Sequence, residues 1–178
     1  MRKLSILTIF SALLLLLFVP LKQANADGVF LPCKSLSSIN FKTSGFLGTY
    51  NTALIESLAH WNTIPQVNVG TNSSSVNTLT LSSYSDTWFG NNAGTCVGSN
   101  LTKSTIRINS RTIANETTSV TLKNFARSTI THEIAHSFGL DDNPKPSDLN
   151  SSLMNHERTR TTIYNLTSYD KYNIDILY

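Results

Sequence analysis

Charge is scarce in this 178-residue sequence, because Asp, Glu, Lys and Arg together make up only 14% of it. The sequence also has no charge block, no basic stripe and no internal repeat. Without a basic stripe it lacks the electrostatic footprint of a nucleic-acid-binding protein. The short length excludes a multidomain assembly. Hydrophobic residues still make up 40% of the chain, enough to form a core, so wholesale disorder is excluded as well.

The first 26 residues have the pattern of a secretory signal peptide. Two basic residues, Arg2 and Lys3, precede an apolar run of about 16 residues, and Ala24-Asn25-Ala26 supplies a small-x-small cleavage site. The apolar run is shorter than the ~20 residues that a membrane-spanning helix needs. We therefore expect cleavage of residues 1–26. The mature chain, residues 27–178, is then a single secreted, extracellular domain with no stable membrane association.

Cleavage would also change the charge balance. It would remove Arg2, Lys3 and Lys22, which are three of the 14 basic residues, and none of the 11 acidic ones. The formal net charge of +3 therefore belongs to the signal, and the mature chain is formally neutral. We expect no nucleic-acid partner, and we expect the mature protein to be a monomer.

Two cysteines, Cys33 and Cys96, remain after the predicted cleavage site. In an exported protein they most simply form one disulfide. That bond would close a loop of roughly 60 residues and stabilise the fold by about 3–4 kcal/mol on the chain-entropy account. The alternative is that Cys33, near the mature N-terminus, coordinates a metal as an inhibitory plug.

Hydrophobic periodicity predicts an α/β layer arrangement in the order strand, helix, several strands, helix, loop, helix. A long helix is predicted from about Val120 to Phe138, where apolar residues recur at helical spacing, and Gly139 ends it. Loops are predicted at 71–75, 90–94 and 141–152. The other predicted elements are strands at 38–42, 66–69, 78–81, 95–97 and 104–109, and helices at 52–61 and 168–177.

The motif that carries chemistry is His132-Glu133-Ile134-Ala135-His136, within the predicted long helix. Residues four apart lie on one helix face, about 6 Å apart along the axis, so both imidazoles can reach one tetrahedral Zn²⁺. Glu133 falls beside them, where it can accept a proton from a metal-bound water. Two of only four histidines in the chain take this spacing around a Glu, which argues against coincidence.

A third ligand is expected just beyond the helix. Gly139 lets the chain turn sharply, and Asp142 follows ten residues after the first histidine of the motif. The turn can return its carboxylate to the open metal position, at a bond length of about 2.0–2.2 Å. Asp141 is the adjacent alternative, one position off the pattern, and can instead cap the loop. Glu157 would need a second-helix pattern that its surroundings lack, and His60 is expected to be structural.

The run from His132 to Asp142 resembles the zinc-binding motif of the metzincin metalloproteases. Leu153-Met154-Asn155 looks like the Met-turn of that clan, whose Met lies beneath the zinc, and residues 166–178 are similar to the C-terminal helix of its matrixin-like branch. Most metzincins have a His where Asp142 stands, but an Asp there resembles the snapalysin group of small secreted bacterial proteases. The resemblance implies an α/β (α+β) fold with a twisted mixed sheet, an active-site helix and a C-terminal helix.

The same resemblance implies a secreted zinc endopeptidase that hydrolyses peptide bonds in protein or peptide substrates. It implies one zinc per chain, with His132, His136 and Asp142 as ligands. Glu133 would act as general base toward a zinc-bound water, and Met154 would pack beneath the site. The alternative is a non-catalytic metzincin-like binding or toxin module, because Asp142 departs from the usual ligand and the chain is small.

The remaining expectations concern the surroundings of the site. His156 stands where astacin-like enzymes carry a Tyr near the zinc, so it is either a transition-state stabiliser or an exposed loop histidine. An edge strand within 91–99 would bind an extended peptide by main-chain hydrogen bonds. A carboxylate ligand lowers the charge of the metal site, which predicts a pH optimum at or above neutral. Calcium is compatible with the Ser/Asn/Asp-rich loops, although no ligand spacing requires it.

Overall fold

A five-stranded mixed sheet organises the part of the chain that the computed structural model describes, residues 29–178. The predicted signal peptide, residues 1–26, lies outside the described residues. The strands are β1 (Ser38–Ser44), β2 (Asn68–Thr71), β3 (Thr78–Ser82), β4 (Gly90–Val97) and β5 (Asn100–Asn109). They lie in the order β2-β1-β3-β5-β4, and only β4 runs antiparallel to its neighbour.

Four helices accompany this sheet within the described residues, and the predicted mixed α/β class is confirmed at that level. None of these helices is both long and apolar enough to cross a membrane. A short 3₁₀ turn, Pro146–Asp148, interrupts the predicted loop at 141–152. The helices are α1 (Gly48–Trp61), α2 (Ser110–Asn115), α3 (Leu122–Ser137) and α4 (Ser168–Leu177).

The core lies between the sheet and the helices α1 and α3. Period-two alternation along β3 and β5 buries Leu79, Ile106 and Ile108 completely on the helix side of the sheet. Ile134 of α3 is equally buried, as helical spacing of its apolar residues predicts. This packing fixes α3 rigidly against the sheet, which matters because α3 carries the two motif histidines.

The loop predicted at 90–94 is wrong. These residues open β4, which pairs with β5 from Gly90 opposite Ile108 to Val97 opposite Asn100. The Gly and Asn residues indicated a turn from local preference, but backbone hydrogen bonds to a neighbouring strand do not depend on side-chain type. The sequence pattern also missed α2. Asn109 caps the N-terminus of this helix, because its side chain accepts a hydrogen bond from the backbone N–H of Arg111.

The predicted disulfide between Cys33 and Cys96 is present, so the alternative role of Cys33 as a metal plug is wrong. The bond attaches the N-terminal segment to β4. Backbone pairing secures the same segment, because Phe30 forms a β-bridge with Leu140 and Lys34 forms one with Asn100. The segment therefore lies against the turn that follows α3, next to the candidate site.

Candidate metal centre

The last two turns of α3 present His132, Glu133 and His136 toward a cleft beside β4. The helix ends because Gly139 takes a positive φ of 92°, which side-chain-bearing residues rarely adopt. A Cβ added at Gly139 would also lie only 2.9 Å from Cβ of Lys34. The reversal at this glycine brings Asp142 back beside the two histidines.

The donor atoms of three residues converge at this point. Nε2 of His132 lies 3.1 Å from Oδ1 of Asp142, and Nε2 of His136 lies 3.8 Å from the same oxygen. Two ligand atoms on a tetrahedral zinc, each bonded at roughly 2.0–2.1 Å, lie about 3.3 Å apart. The distances of 3.1 Å and 3.8 Å from the two Nε2 atoms to Oδ1 of Asp142 lie close to this value.

Hydrogen bonds orient both imidazoles. Nδ1 of His132 donates to the carbonyl oxygen of Leu153 at 3.1 Å, and Nδ1 of His136 donates to that of Leu140 at 2.8 Å. A carbonyl oxygen can only accept, so each histidine carries its hydrogen on Nδ1 and leaves the Nε2 lone pair free for a metal. The sequence identified the two histidines but not these carbonyl partners, which come from the loops around α3.

The contact between His132 and Asp142 brings together two electron-rich atoms, and a bound cation would make their proximity favourable. Burial, followed by the charge of Arg158, lowers the pKa of His132 to about 3, which favours the neutral ring. Burial raises the pKa of Asp142, but the adjacent imidazoles, with His132 first, outweigh burial and lower this pKa to about 2. A neutral Nε2 and an ionised carboxylate are both acceptors, so their contact at 3.1 Å suits a shared positive ion.

The two other acidic candidates lie differently. Oδ1 of Asp141 accepts the backbone N–H of Asp142 at 2.8 Å, the loop-capping role that the sequence offered as its alternative. Glu157 is exposed in the loop that follows the predicted Met-turn. Neither carboxylate is within 4.0 Å of a ring nitrogen of His132 or His136, whereas Asp142 contacts both rings.

His60 lies apart from this cluster and has a structural contact. Its Nε2 accepts the backbone N–H of Leu166 at 3.0 Å, which ties α1 to the segment before α4. Burial lowers the pKa of His60 to about 4, and the charges of Lys171 and Arg127 act in the same direction. A neutral ring is the form that can accept this hydrogen bond, in line with the structural role expected from the sequence.

Glu133 lies beside the metal donors in a buried position, with 5% of its surface exposed. A ligand atom from each of His132, Glu133 and His136 lies within 4.8 Å of the others. Burial, reinforced by the charge of Asp142, raises the pKa of Glu133 to about 8. The carboxylate is therefore close to the donors, and its raised pKa increases its affinity for a proton, which favours general-base action when the group is ionised.

Gly90, the first residue of β4, makes room for this carboxylate. A Cβ added there would lie 2.5 Å from Oε1 of Glu133 and 2.8 Å from its Cδ. The sequence suggested only a loop glycine at this position. Its role depends on a contact between residues that are far apart in the chain, so no local pattern could reveal it.

We predict that Gly90→Ala displaces the Glu133 carboxylate and reduces kcat for peptide cleavage by about tenfold or more, since a misplaced base loses its proton-transfer geometry. Gly94→Ala is the matched control in the same strand, because its added Cβ would contact only the flexible side chain of Leu101. Steady-state cleavage of a quenched fluorescent peptide measures both variants. Wild-type kcat in the Gly90→Ala protein would show that Gly90 does not position the base.

The predicted Met-turn is held by a carboxylate that the sequence analysis missed. Asp170, fully buried at the start of α4, accepts hydrogen bonds from Oγ of Ser152 at 2.6 Å and from the backbone N–H of Leu153 at 2.8 Å. Asp170 also completes a capping box with Thr167. The carbonyl oxygen of Leu153 accepts a hydrogen bond from His132, so α4 helps to orient a candidate metal donor. Met154, the residue after Leu153, is buried. The sequence signal that could have identified Asp170 is its capping-box spacing, three residues after Thr167.

The cleft in front of these residues has a volume of about 690 Å³. Asn91 and Asn92 of β4 lie on one wall, and β4 is the last strand of the sheet, within the range expected for an edge strand. His156 is exposed at the opposite rim, and its charge contributes to the lowered pKa of Asp142. Arg158 and Arg160 also line the cleft, and the sequence analysis did not identify them.

Comparisons with known proteins give a fold likeness. No protein-family model matches the chain. No curated protein matches it either. Among the solved structures that match is a chain of the GM1-bound form of the ECX AB5 holotoxin, with a TM-score of 0.54 and 17% sequence identity. The match covers 79% of this chain and 80% of that chain, and at this identity it shows a shared fold alone.

Proposed function

We propose that this chain is a secreted zinc-dependent endopeptidase of the metzincin type, matrixin-like, with Asp as its third metal ligand. The observation that carries the proposal is the convergence of Nε2 of His132, Nε2 of His136 and Oδ1 of Asp142 at the floor of a cleft. Both Nδ1 hydrogens are already taken by carbonyl oxygens, which leaves the Nε2 lone pairs for a metal.

Zinc held by these donors would supply a Lewis acid for the scissile carbonyl and lower the pKa of a water molecule. The residues of the chain do the rest. Glu133 accepts the proton of the attacking water and passes it to the leaving amine. Its buried position favours the protonated carboxyl, which suits a group that holds a proton between two transfers. His156, at the rim of the cleft, is the candidate for stabilising the developing oxyanion.

The position of β4 supports a peptide substrate. An edge strand can accept an extended chain as an additional strand, with main-chain hydrogen bonds supplying affinity. The disulfide from Cys33 to Cys96 holds this edge against the N-terminal segment. The cleft therefore has a rigid wall on the side where the substrate backbone would lie.

A second function, a non-catalytic metzincin-like binding or toxin module, is supported by one observation. The matched chain comes from a holotoxin whose structure contains GM1. We place this function second because Glu133 lies among the metal donors, and a module without catalysis has no need of a general base there.

Metal analysis of the purified protein tests the proposal. We expect about one zinc per chain by elemental mass spectrometry, as a single tetrahedral site requires. Removing zinc with a chelator should abolish casein cleavage, and adding zinc back to the dialysed protein should restore it, whereas calcium should not. Undiminished cleavage by protein shown to be free of metal would disprove the proposed mechanism.

A further inference from the structure

Two arginines on the wall of the cleft have no acidic partner. Arg158 and Arg160 both line the cleft, and no carboxylate among residues 29–178 lies within 4.0 Å of either guanidinium. Arg158 is buried and Arg160 is half-buried, so both guanidinium groups lose hydration without a carboxylate in direct contact to offset the loss. The arrangement therefore suits a ligand that brings its own negative charge.

The two side chains are not equivalent. Arg158 is 3% exposed, and its guanidinium donates to the hydroxyl and carbonyl of Ser128 and to the carbonyl of Asn155. These neutral acceptors hold Arg158 in place as part of the wall. Its hydrogen-bonding groups are largely committed within the protein.

Arg160 is held without hydrogen-bond acceptors. Its guanidinium carbon lies 4.8 Å from the ring centroid of Phe89 and 5.7 Å from that of Phe125, a cation–π arrangement. Its Nε is buried and has no hydrogen-bond partner within the described part of the chain. The aromatic rings thus position a planar guanidinium whose two Nη groups, which make no hydrogen bond to the described residues, remain available to a carboxylate. Such a pair of groups can bind a carboxylate through two parallel hydrogen bonds.

The charge balance of the cleft points the same way. Arg158 and Arg160 together offset two of the three carboxylates that line the cleft, those of Glu133, Asp141 and Asp142. A divalent cation at the metal centre would then leave the cleft with an excess of positive charge. An anionic group on the substrate would restore neutrality, and in a partly buried cleft that attraction is weakly screened.

We propose that Arg160 binds a carboxylate of the peptide substrate and thereby determines specificity, the source being an Asp or Glu side chain near the scissile bond or the carboxyl terminus of the substrate. The inference rests on the proposed endopeptidase function. Arg158, which also lines the cleft, contributes positive potential. The expected substrates are acidic peptides or peptides that end close to the cleaved bond.

A binding experiment on the Glu133→Gln protein with zinc added tests this inference without cleavage, because this variant keeps the charge of the metal and lacks the general base. Trp88 lines the cleft, so its fluorescence reports occupancy. The probes are three peptides of one sequence: a capped peptide with a central Glu, its Gln counterpart, and the Gln peptide with a free C-terminal carboxylate. We expect a carboxylate-bearing probe to bind about tenfold or more tightly than the capped Gln peptide, the usual advantage of a charged hydrogen bond.

The variants make this experiment specific. Arg160→Gln should remove the preference, whereas Arg107→Gln, an exposed arginine of β5 outside the cleft, should keep it. Preference for the central Glu assigns the site to a side chain, and preference for the free terminus assigns it to the chain end. Equal binding of all three peptides, or an Arg160→Gln protein that retains the preference, overturns the proposal.

Cleavage of a mixed peptide library separates this proposal from the endopeptidase proposal. We expect acidic residues, or the chain terminus, to be enriched at one position near the cleaved bonds, and Arg160→Glu to favour Lys or Arg there instead. Cleavage with no such enrichment would refute the role of Arg160 and leave the endopeptidase proposal intact. If the wild type cleaves nothing, the endopeptidase proposal fails, and the binding experiment still decides whether the cleft takes a carboxylate.

Discussion

Glu133→Gln is expected to lower kcat for peptide cleavage by about 10²–10⁴-fold while the protein keeps its zinc, since general-base catalysis typically contributes that much. The amide is close to the carboxylate in size, so the contact with Gly90 and the packing of α3 should be preserved. What is lost is the ability to accept a proton. The effect should therefore fall on kcat rather than on metal content or thermal stability.

Glu157→Gln is the matched control for this experiment. It makes the same chemical change in an exposed carboxylate of the loop after Met154, and it also tests the alternative ligand considered from the sequence. We expect its activity and zinc content to equal those of the wild type. Stopped-assay cleavage of a quenched peptide and elemental analysis of the same samples provide both measurements. If hydrolysis survives in Glu133→Gln, the assignment of the base is wrong.

Asp142→Ala should weaken zinc binding by about 100-fold or more, because it removes one of three protein ligands from a tetrahedral site. Asp141→Ala should leave zinc affinity near the wild-type value, since Oδ1 of Asp141 is occupied by the backbone N–H of Asp142. The two adjacent carboxylates thus give opposite predictions from one short loop. Competition against a chromophoric zinc chelator measures both affinities.

Asp142→His provides the rescue arm of this comparison. An imidazole at this position replaces the lost carboxylate with a neutral nitrogen ligand. We therefore expect zinc to be retained at about one per chain, as in a three-histidine site. If Asp141→Ala loses as much zinc as Asp142→Ala, the ligand set derived from the 3.1 Å and 3.8 Å contacts is incorrect. If neither variant loses zinc, the third ligand lies elsewhere.

Local patterns predicted three of the four helices of the described residues and most of the strands. The helix expected from Val120 to Phe138 runs from Leu122 to Ser137, and the final helix begins and ends where predicted, at Ser168 and Leu177. Helices form bonds within one segment, so apolar periodicity and an ending glycine are sufficient signals. The residues of 90–94 lacked such a signal, because the partner that makes them a strand lies in another segment, β5.

The candidate site also contains some residues that local spacing predicts and others that only long-range contacts reveal. The spacing of His132, Glu133 and His136 alone places three functional side chains on consecutive turns of one helix, whatever the rest of the fold does. Asp142 could be proposed because only Gly139 and a short turn separate it from that helix. These inferences needed no knowledge of distant residues.

Only the tertiary structure decided which atoms surround that motif. It placed Gly90 against Glu133, joined Asp170 to the loop that orients His132, and set the guanidinium of Arg160 on the rings of two phenylalanines. Each of these contacts joins residues that are at least 17 positions apart in the chain, and the packing of whole elements brings them together. Short-range periodicity carries no information about such pairings, because they depend on how whole elements pack and not on the local conformation of either segment.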